Sequence, residues 1–230
     1  MLTMQIADIS FYQYKYNPDW SISQFVDFRR MATKSQGVII RAGQADWKDI
    51  AFDVSWKGAK DAGLQRGSYW FYDSRVNPKR QAELWASILG KDAGELELWM
   101  DFEDKYKGPF HGHKHWYDFA ERIKALLPHK QLGVYTGYYY WRENTKPTDT
   151  YFAQYPLWIA WYGGIPKIPP IWNEWLMHQF TDNGNGAEWG VASGNIDINT
   201  RKGDLGTIPQ GNQMTAIFGK TQTQYQEITK

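Results

Sequence analysis

The chain has 230 residues, with 26 basic and 25 acidic side chains for a formal net charge of +1, and 42% of its residues are hydrophobic. That length and apolar content suit one large domain with a full core. The near-neutral balance leaves no electrostatic footprint for nucleic acid, no apolar run is long enough to span a bilayer, and the lack of cysteine excludes disulfide scaffolds and thiolate metal sites.

Taken in chain order, the segment Met1–Ser10 lacks the charged and apolar regions of a signal peptide. Short, mostly unbroken apolar runs then recur at Ile6–Ile9, Val38–Arg41, Gly67–Tyr72, Leu96–Asp101, Leu132–Tyr135, Leu157–Trp161, Trp175–Phe180 and Asn195–Asn199. Such runs predict strands buried on both faces. Helical patterns separate them. One is expected over Ser23–Lys34 and a weaker one over Val54–Ala62, stopped by Gly63. A third starts at Asn77-Pro78, carries Ala82, Trp85, Ala86 and Leu89 as an apolar stripe, and stops at Gly90. A fourth runs from near His115 to Leu127, with Trp116, Phe119, Ala120 and Ile123 on one face and Pro128 after it.

Alternating strands and helices imply a parallel sheet, and eight strands imply an α/β fold of TIM-like barrel type. The later part is irregular. Pro166, Pro169 and Pro170 make the sixth connection a loop, and Thr181–Gly186 is a turn-rich link that lets strands seven and eight pair as an antiparallel hairpin. The expected fold is therefore an irregular β/α barrel with helices missing in its second half. Residues 1–206 form the barrel, and residues 207–230, rich in Gln, Thr and Gly, form a tail or linker with a short extra strand at Ala216–Phe218.

In such barrels the functional groups stand at the C-terminal strand ends. Those ends carry Asp8, Arg41, Tyr72, Asp101 with Glu103, Tyr135, Trp161, Gln179 and Asp197. Four gathered carboxylates raise one another's pKa, a cost that a purely structural barrel has no reason to bear. Glycoside hydrolysis uses that cost, because one carboxyl must stay protonated for the leaving oxygen while another stays ionised beside an oxocarbenium-like centre. Residues i and i+2 of a strand share a face, so Asp101 and Glu103 are expected in one pocket. Glu103 is assigned as general acid and Asp101 as its tuner and charge stabiliser. Asp8 or Asp197 can also be the second partner. The chain holds 13 Trp, 15 Tyr and 11 Phe, and aromatic faces pack on the apolar faces of sugars. Tyr69, Tyr72, Tyr135 and Trp161 are expected to line the pocket, with Arg41 and Gln179 orienting substrate. His111, His113 and His115 lie at alternate positions without a carboxylate signature and read as a solvated loop. Neither a metal nor a cofactor is expected.

The motifs Asp8-Ile9-Ser10 with Gln13, Val38–Arg41, Gly67–Tyr72, Leu98–Glu103, Gly133–Thr136, Leu157–Ala160, His178–Thr181 and Ile196–Asn199 occur in an order that resembles the glycoside hydrolase family 25 lysozymes. The resemblance covers roughly residues 5 to 200. It implies an irregular β/α barrel and hydrolysis of the β-1,4 bond between N-acetylmuramic acid and N-acetylglucosamine in peptidoglycan. It also implies an acidic site at Asp8, Asp101, Glu103 and Asp197, with Glu103 as acid. A retaining route aided by the substrate's own 2-acetamido oxygen is implied as an option. The chain departs from the family in a longer stretch at Lys105–His115 and in Trp161-Tyr162, where His-Tyr or Arg-Tyr is commoner. The expected partner is the glycan strand of the wall, engaged by a monomer. Without a signal peptide, the expectation is an endolysin of phage type that acts on the wall after release or rides on the virion. Two rivals are a chitinase-like barrel, disfavoured by Trp99 where an acid is needed, and a non-catalytic carbohydrate-binding barrel.

Overall fold

Strand β1 (Thr3–Ile9) is joined on one side by β2 (Gly37–Gln44) and then, in sequence, by β3 (Gln65–Phe71), β4 (Leu98–Asp101), β5 (Leu132–Gly137), β6 (Leu157–Ala160) and β7 (Met177–Asn185). Strand β8 (Asn195–Lys202) sits between β7 and β1 and closes the ring. These relations come from a computed structural model, in which residues 3–103, 113–146 and 148–203 are described. Neighbours from β1 through β7 run parallel, whereas β8 runs antiparallel to both β7 and β1. All eight predicted strands are present, and the expected hairpin of the last two is there.

Strands β1 to β6 carry apolar residues on both faces because each separates two cores, whereas β8 turns Asp197 and Asn199 inward. Ile6, Ile39, Leu96, Trp99, Tyr135, Trp158 and Met177 fill the barrel interior. Trp99 lies opposite Gly133 on β5, where an added Cβ would stand 2.4 Å from the indole, so glycine there makes room for the ring. The outer core lies between strands and helices. In it Trp85 stacks on Phe119 at 6.0 Å and Phe102 stacks on Trp116 at 4.4 Å. Burying a phenylalanine of this kind stabilises the fold by ~2–3 kcal/mol.

The helices are α1 (Phe28–Ala32), α2 (Phe52–Asp61), α3 (Pro78–Leu89), α4 (His113–Leu126), α5 (Tyr138–Asn144) and α6 (Gly186–Trp189). Helix α3 is capped as read from sequence, with Asn77 accepting from the N–H groups of Lys79 and Arg80 and Gly90 ending it at φ 56°. The helix expected over Ser23–Lys34 is much shorter. Ile22–Gln24 pairs instead with Lys15–Tyr16 in a small hairpin, and Asp27 caps α1 by accepting from Arg30 N–H. No helix follows β6 among the described residues before β7, as the three prolines imply. The barrel's last strand ends at Lys202. The predicted tail at 207–230, with its extra strand, and the stretch 104–112 with His111 lie outside the described residues. Among the described residues no helix is long and apolar enough to cross a membrane.

Candidate active site

One end of the barrel opens into a cleft of about 290 Å3. Its walls come from β1 (Asp8, Ile9), the turn after it (Ser10, Tyr12, Gln13), β2 (Arg41), β3 (Tyr69, Phe71), β4 and its extension (Asp101, Glu103), and the last four strands (Tyr135, Trp158, Gln179, Asp197). All four predicted carboxylates therefore meet in one space. Asp197 arrives by a route that differs from the expectation. It stands near the N-terminal end of β8, and it reaches the rim because that strand is reversed and places it directly opposite Asp8.

Asp8 is almost fully buried at the centre of a directed hydrogen-bond network. Its Oδ2 accepts from Gln179 Nε2 at 3.0 Å and from Asn199 Nδ2 at 2.8 Å. An indole N–H can only donate, and Trp158 Nε1 donates to Asn199 Oδ1 at 2.7 Å, which fixes the orientation of that amide. Gln179 is fixed likewise, its Oε1 accepting from the hydroxyls of Tyr135 at 2.9 Å and Tyr162 at 2.8 Å. Both amide donors favour the ionised form of Asp8, though burial pushes its pKa up. Asp197 shares a hydrogen bond with Asp8 and is pushed up to about 8, first by burial and then by the negative charge of Asp8. The two carboxyls therefore hold one proton between them near neutral pH, because adjacent buried carboxylates do not both ionise.

The chain stays extended past the last paired residue of β4. Phe102 N–H donates to Tyr135 O at 2.9 Å, and Thr136 Oγ1 donates to Phe102 O at 2.7 Å. Alternation therefore continues through Glu103. Asp101 and Glu103 face the cleft, the first buried and the second exposed, while Phe102 faces the outer core. Tyr69 and Tyr135 are held as phenols. Burial raises both, and the carboxylates around them raise them further.

Arg41 is both structural and part of the cleft wall. Its Nε donates to Asp49 Oδ2 at 2.8 Å, and Asp49 also accepts from the N–H groups of Phe11 and Ala51. Arg41 Nη2 is buried with no hydrogen-bond partner among the described residues, a donor left over for a ligand.

Two predicted pocket residues are elsewhere. Tyr72 is buried in the outer core against Phe102 at 5.5 Å and Phe119 at 5.2 Å. Trp161 is outside the cleft lining, in a partly exposed group with Tyr138, Tyr139 and Lys167. Sequence reasoning missed Asp49, Asn199, Tyr12 and Phe71. For Asn199 a signal existed, since it lies two residues from Asp197 on the same strand face. Among the described residues no group of three or more His, Asp or Glu is arranged to hold a metal ion.

Residues 7–189 match the family described as Glycosyl hydrolases family 25. Among curated proteins, Lysozyme M1 of Streptomyces globisporus is 28% identical over 177 residues, which is 71% of this chain. The chain spans 58% of that relative's length. Among solved structures, a bacterial lysozyme from Streptomyces coelicolor superposes with a TM-score of 0.72 at 23% identity, covering 87% of this chain and 93% of its own. A muramidase from Trichobolus zukalii superposes with a TM-score of 0.68 at 25% identity, covering 88% of this chain and 95% of its own. With more than half its length matched by one family and its barrel shared with these structures, the chain belongs to glycosyl hydrolase family 25.

Proposed function

We propose that this chain is an N-acetylmuramidase that hydrolyses the β-1,4 bond from N-acetylmuramic acid to N-acetylglucosamine in peptidoglycan. The observation that carries this reading is the meeting of Asp8, Asp101, Glu103 and Asp197 in one cleft of a family 25 barrel. All four come from one chain, so a monomer suffices for the chemistry.

Glu103, the exposed member, gives its proton to the glycosidic oxygen as the C1–O bond breaks. The electron pair leaves with that oxygen, and positive charge develops at C1 and the ring oxygen, beside the carboxylates of Asp101 and Asp8. Asp8 is a poor nucleophile here, because Oδ2 already accepts two N–H groups and the carboxyl shares a proton with Asp197. In this reading the 2-acetamido oxygen of the substrate closes on C1, and Asp101 accepts the acetamido N–H and orients it. Water then attacks C1 as the C1–O bond to the acetamido oxygen breaks, its electron pair returning to the amide, and the water yields its proton to Glu103, which restores the acid. Arg41 Nη2 and the phenols of Tyr69 and Tyr135 supply hydrogen bonds to the sugar, with Gln179 holding Tyr135 in place.

The test is turbidity loss of purified cell walls by the full chain and by Glu103→Gln. Loss of general-acid catalysis lowers lysis by roughly 10²–10⁴-fold, with an unchanged melting curve because Glu103 is exposed. Full lysis by a folded Glu103→Gln protein refutes the mechanism. New reducing ends on N-acetylmuramic acid support the bond assignment, whereas new reducing ends on N-acetylglucosamine refute it.

A further inference from the structure

The proposed reaction leaves unused an aromatic segment that follows β1. Residues Phe11–Gln13 form a 3-10 turn capped by Ser10, and the hairpin of Lys15–Tyr16 with Ile22–Gln24 comes next. Its tip is held by polar groups. Asn17 N–H donates to Ser21 O at 2.8 Å, Trp20 N–H donates to Asn17 O at 3.0 Å, and the Ser21 hydroxyl donates to Asp19 Oδ1 at 2.6 Å. This tip holds Trp20 at φ 64°, in the left-handed region that a bulky side chain avoids, with 69% of the residue exposed. A strained backbone that presents an indole to solvent is a cost the fold itself does not require.

The ring does not stand alone. Trp20 lies 6.1 Å from Tyr16, Tyr16 lies 6.4 Å from Phe11, and Phe11 lies 4.2 Å from Tyr12. Tyr12 is 66% exposed and also lines the catalytic cleft. Trp47 flanks the row, 6.2 Å from Phe11. Beneath it the Arg41 guanidinium, anchored by Asp49, sits 4.9 Å from the Phe11 ring centre, 5.5 Å from that of Tyr12 and 5.3 Å from that of Trp47. The cation fixes the rings before any ligand arrives.

We propose that this band from Tyr12 to Trp20 is a second glycan-binding subsite. It runs outward from the cleavage cleft, beginning at Tyr12 in the cleft wall, and takes sugar rings of the same peptidoglycan strand beyond those being cut. The identity of the occupant rests on the muramidase reading. The band is continuous with the cleft wall through Tyr12, so a strand lying in one meets the other. Its chemistry fits a sugar polymer, because ring faces accept the apolar sides of pyranoses while the Trp20 indole N–H, the Tyr12 hydroxyl and the Asn17, Asp19 and Ser21 side chains reach hydroxyls.

The experiment uses the full chain carrying Glu103→Gln, co-sedimented with purified peptidoglycan. In that background Trp20→Gly suits the left-handed backbone, so the melting temperature stays level or rises. Retention falls by about three- to tenfold with loss of the stacked ring. Trp20→Phe retains most of the binding, and Tyr12→Ala weakens it. Parent-level retention by Trp20→Gly overturns the proposal whatever Tyr12→Ala does, because Tyr12 also lines the cleft. So does a shift from dimer to monomer on Trp20→Gly, which would make the band a contact between copies. If the wild-type chain does not cut peptidoglycan, the muramidase reading fails separately. Weaker sedimentation of Trp20→Gly with chitin then still supports a glycan subsite, and unchanged sedimentation with both polymers rejects it.

Discussion

Replacing Asp197 with Asn tests whether Asp8 and Asp197 share one proton. Asp197 rises from 3.8 in the unfolded chain to about 8 in the folded one. Between those values the folded state holds a proton that the unfolded state has released. Stability is therefore greatest below the lower value, declines as pH rises toward the upper one, and is flat beyond it. The steepest decline for one proton is ~1.4 kcal/mol per pH unit. Asp8 is also raised, so its contribution has the same sign. The pair stands in the wall of an open cleft, where solvent screening reduces the loss from pH 5 to pH 8 to ~1–2 kcal/mol. Asn at 197 is isosteric, still donates an N–H to Asp8, and does not ionise. Its melting temperature is expected to match that of the wild type near pH 5 and to exceed it by ~2–8 °C at pH 8. Calorimetric melts of both full chains across this range read the difference directly, since titration elsewhere cancels. Parallel pH profiles for the two proteins, or a wild type that gains on the variant as pH rises, would refute the shared proton.

Two further substitutions probe the supports of the site. Asp49→Ala leaves the buried Arg41 charge uncompensated and removes the acceptor for two backbone N–H groups, so chemical denaturation should show a loss of ~3–5 kcal/mol. Asn199→Leu removes one of the two amide donors to Asp8 and strands the Trp158 indole N–H, which costs ~1–3 kcal/mol; in steady-state assays kcat falls while KM moves little, because Asn199 is fully buried and outside the cleft lining.

Strand positions were legible because a strand walled by two cores is apolar on both faces. The side chains facing inward were harder to read for the same reason, since such a run carries no alternation. Tyr69 and Tyr72 were both expected in the pocket, yet residues three apart on a strand face opposite ways. The cleft holds Tyr69 and Phe71, and Tyr72 turns outward. Asp8, Asp101 and Glu103 were legible because each stands at or just past the end of an apolar run, whereas Asp197 stands early in its strand and reaches the cleft through the reversal of β8. Asp49 was not legible, as it sits in the link after β2 and meets Arg41 only through the folded turn. The helix expected over Ser23–Lys34 failed at its N-terminal half, where the aromatic hairpin uses Ile22–Gln24 as a strand.

The reversed strand β8 also governs when the site comes into being. Asp8 and the Asn199 that supports it are separated by 191 positions along the chain. Contacts this remote in sequence carry a large loop-closure cost and form late in folding. Until β8 inserts between β7 and β1, Asp8 lacks Asn199 and Asp197, and the interior of the barrel is open along one seam. On the proposed mechanism, competence to cut is thereby tied to completion of the ring, because a chain without β8 in place carries Asp101 and Glu103 without the acid pair that faces them.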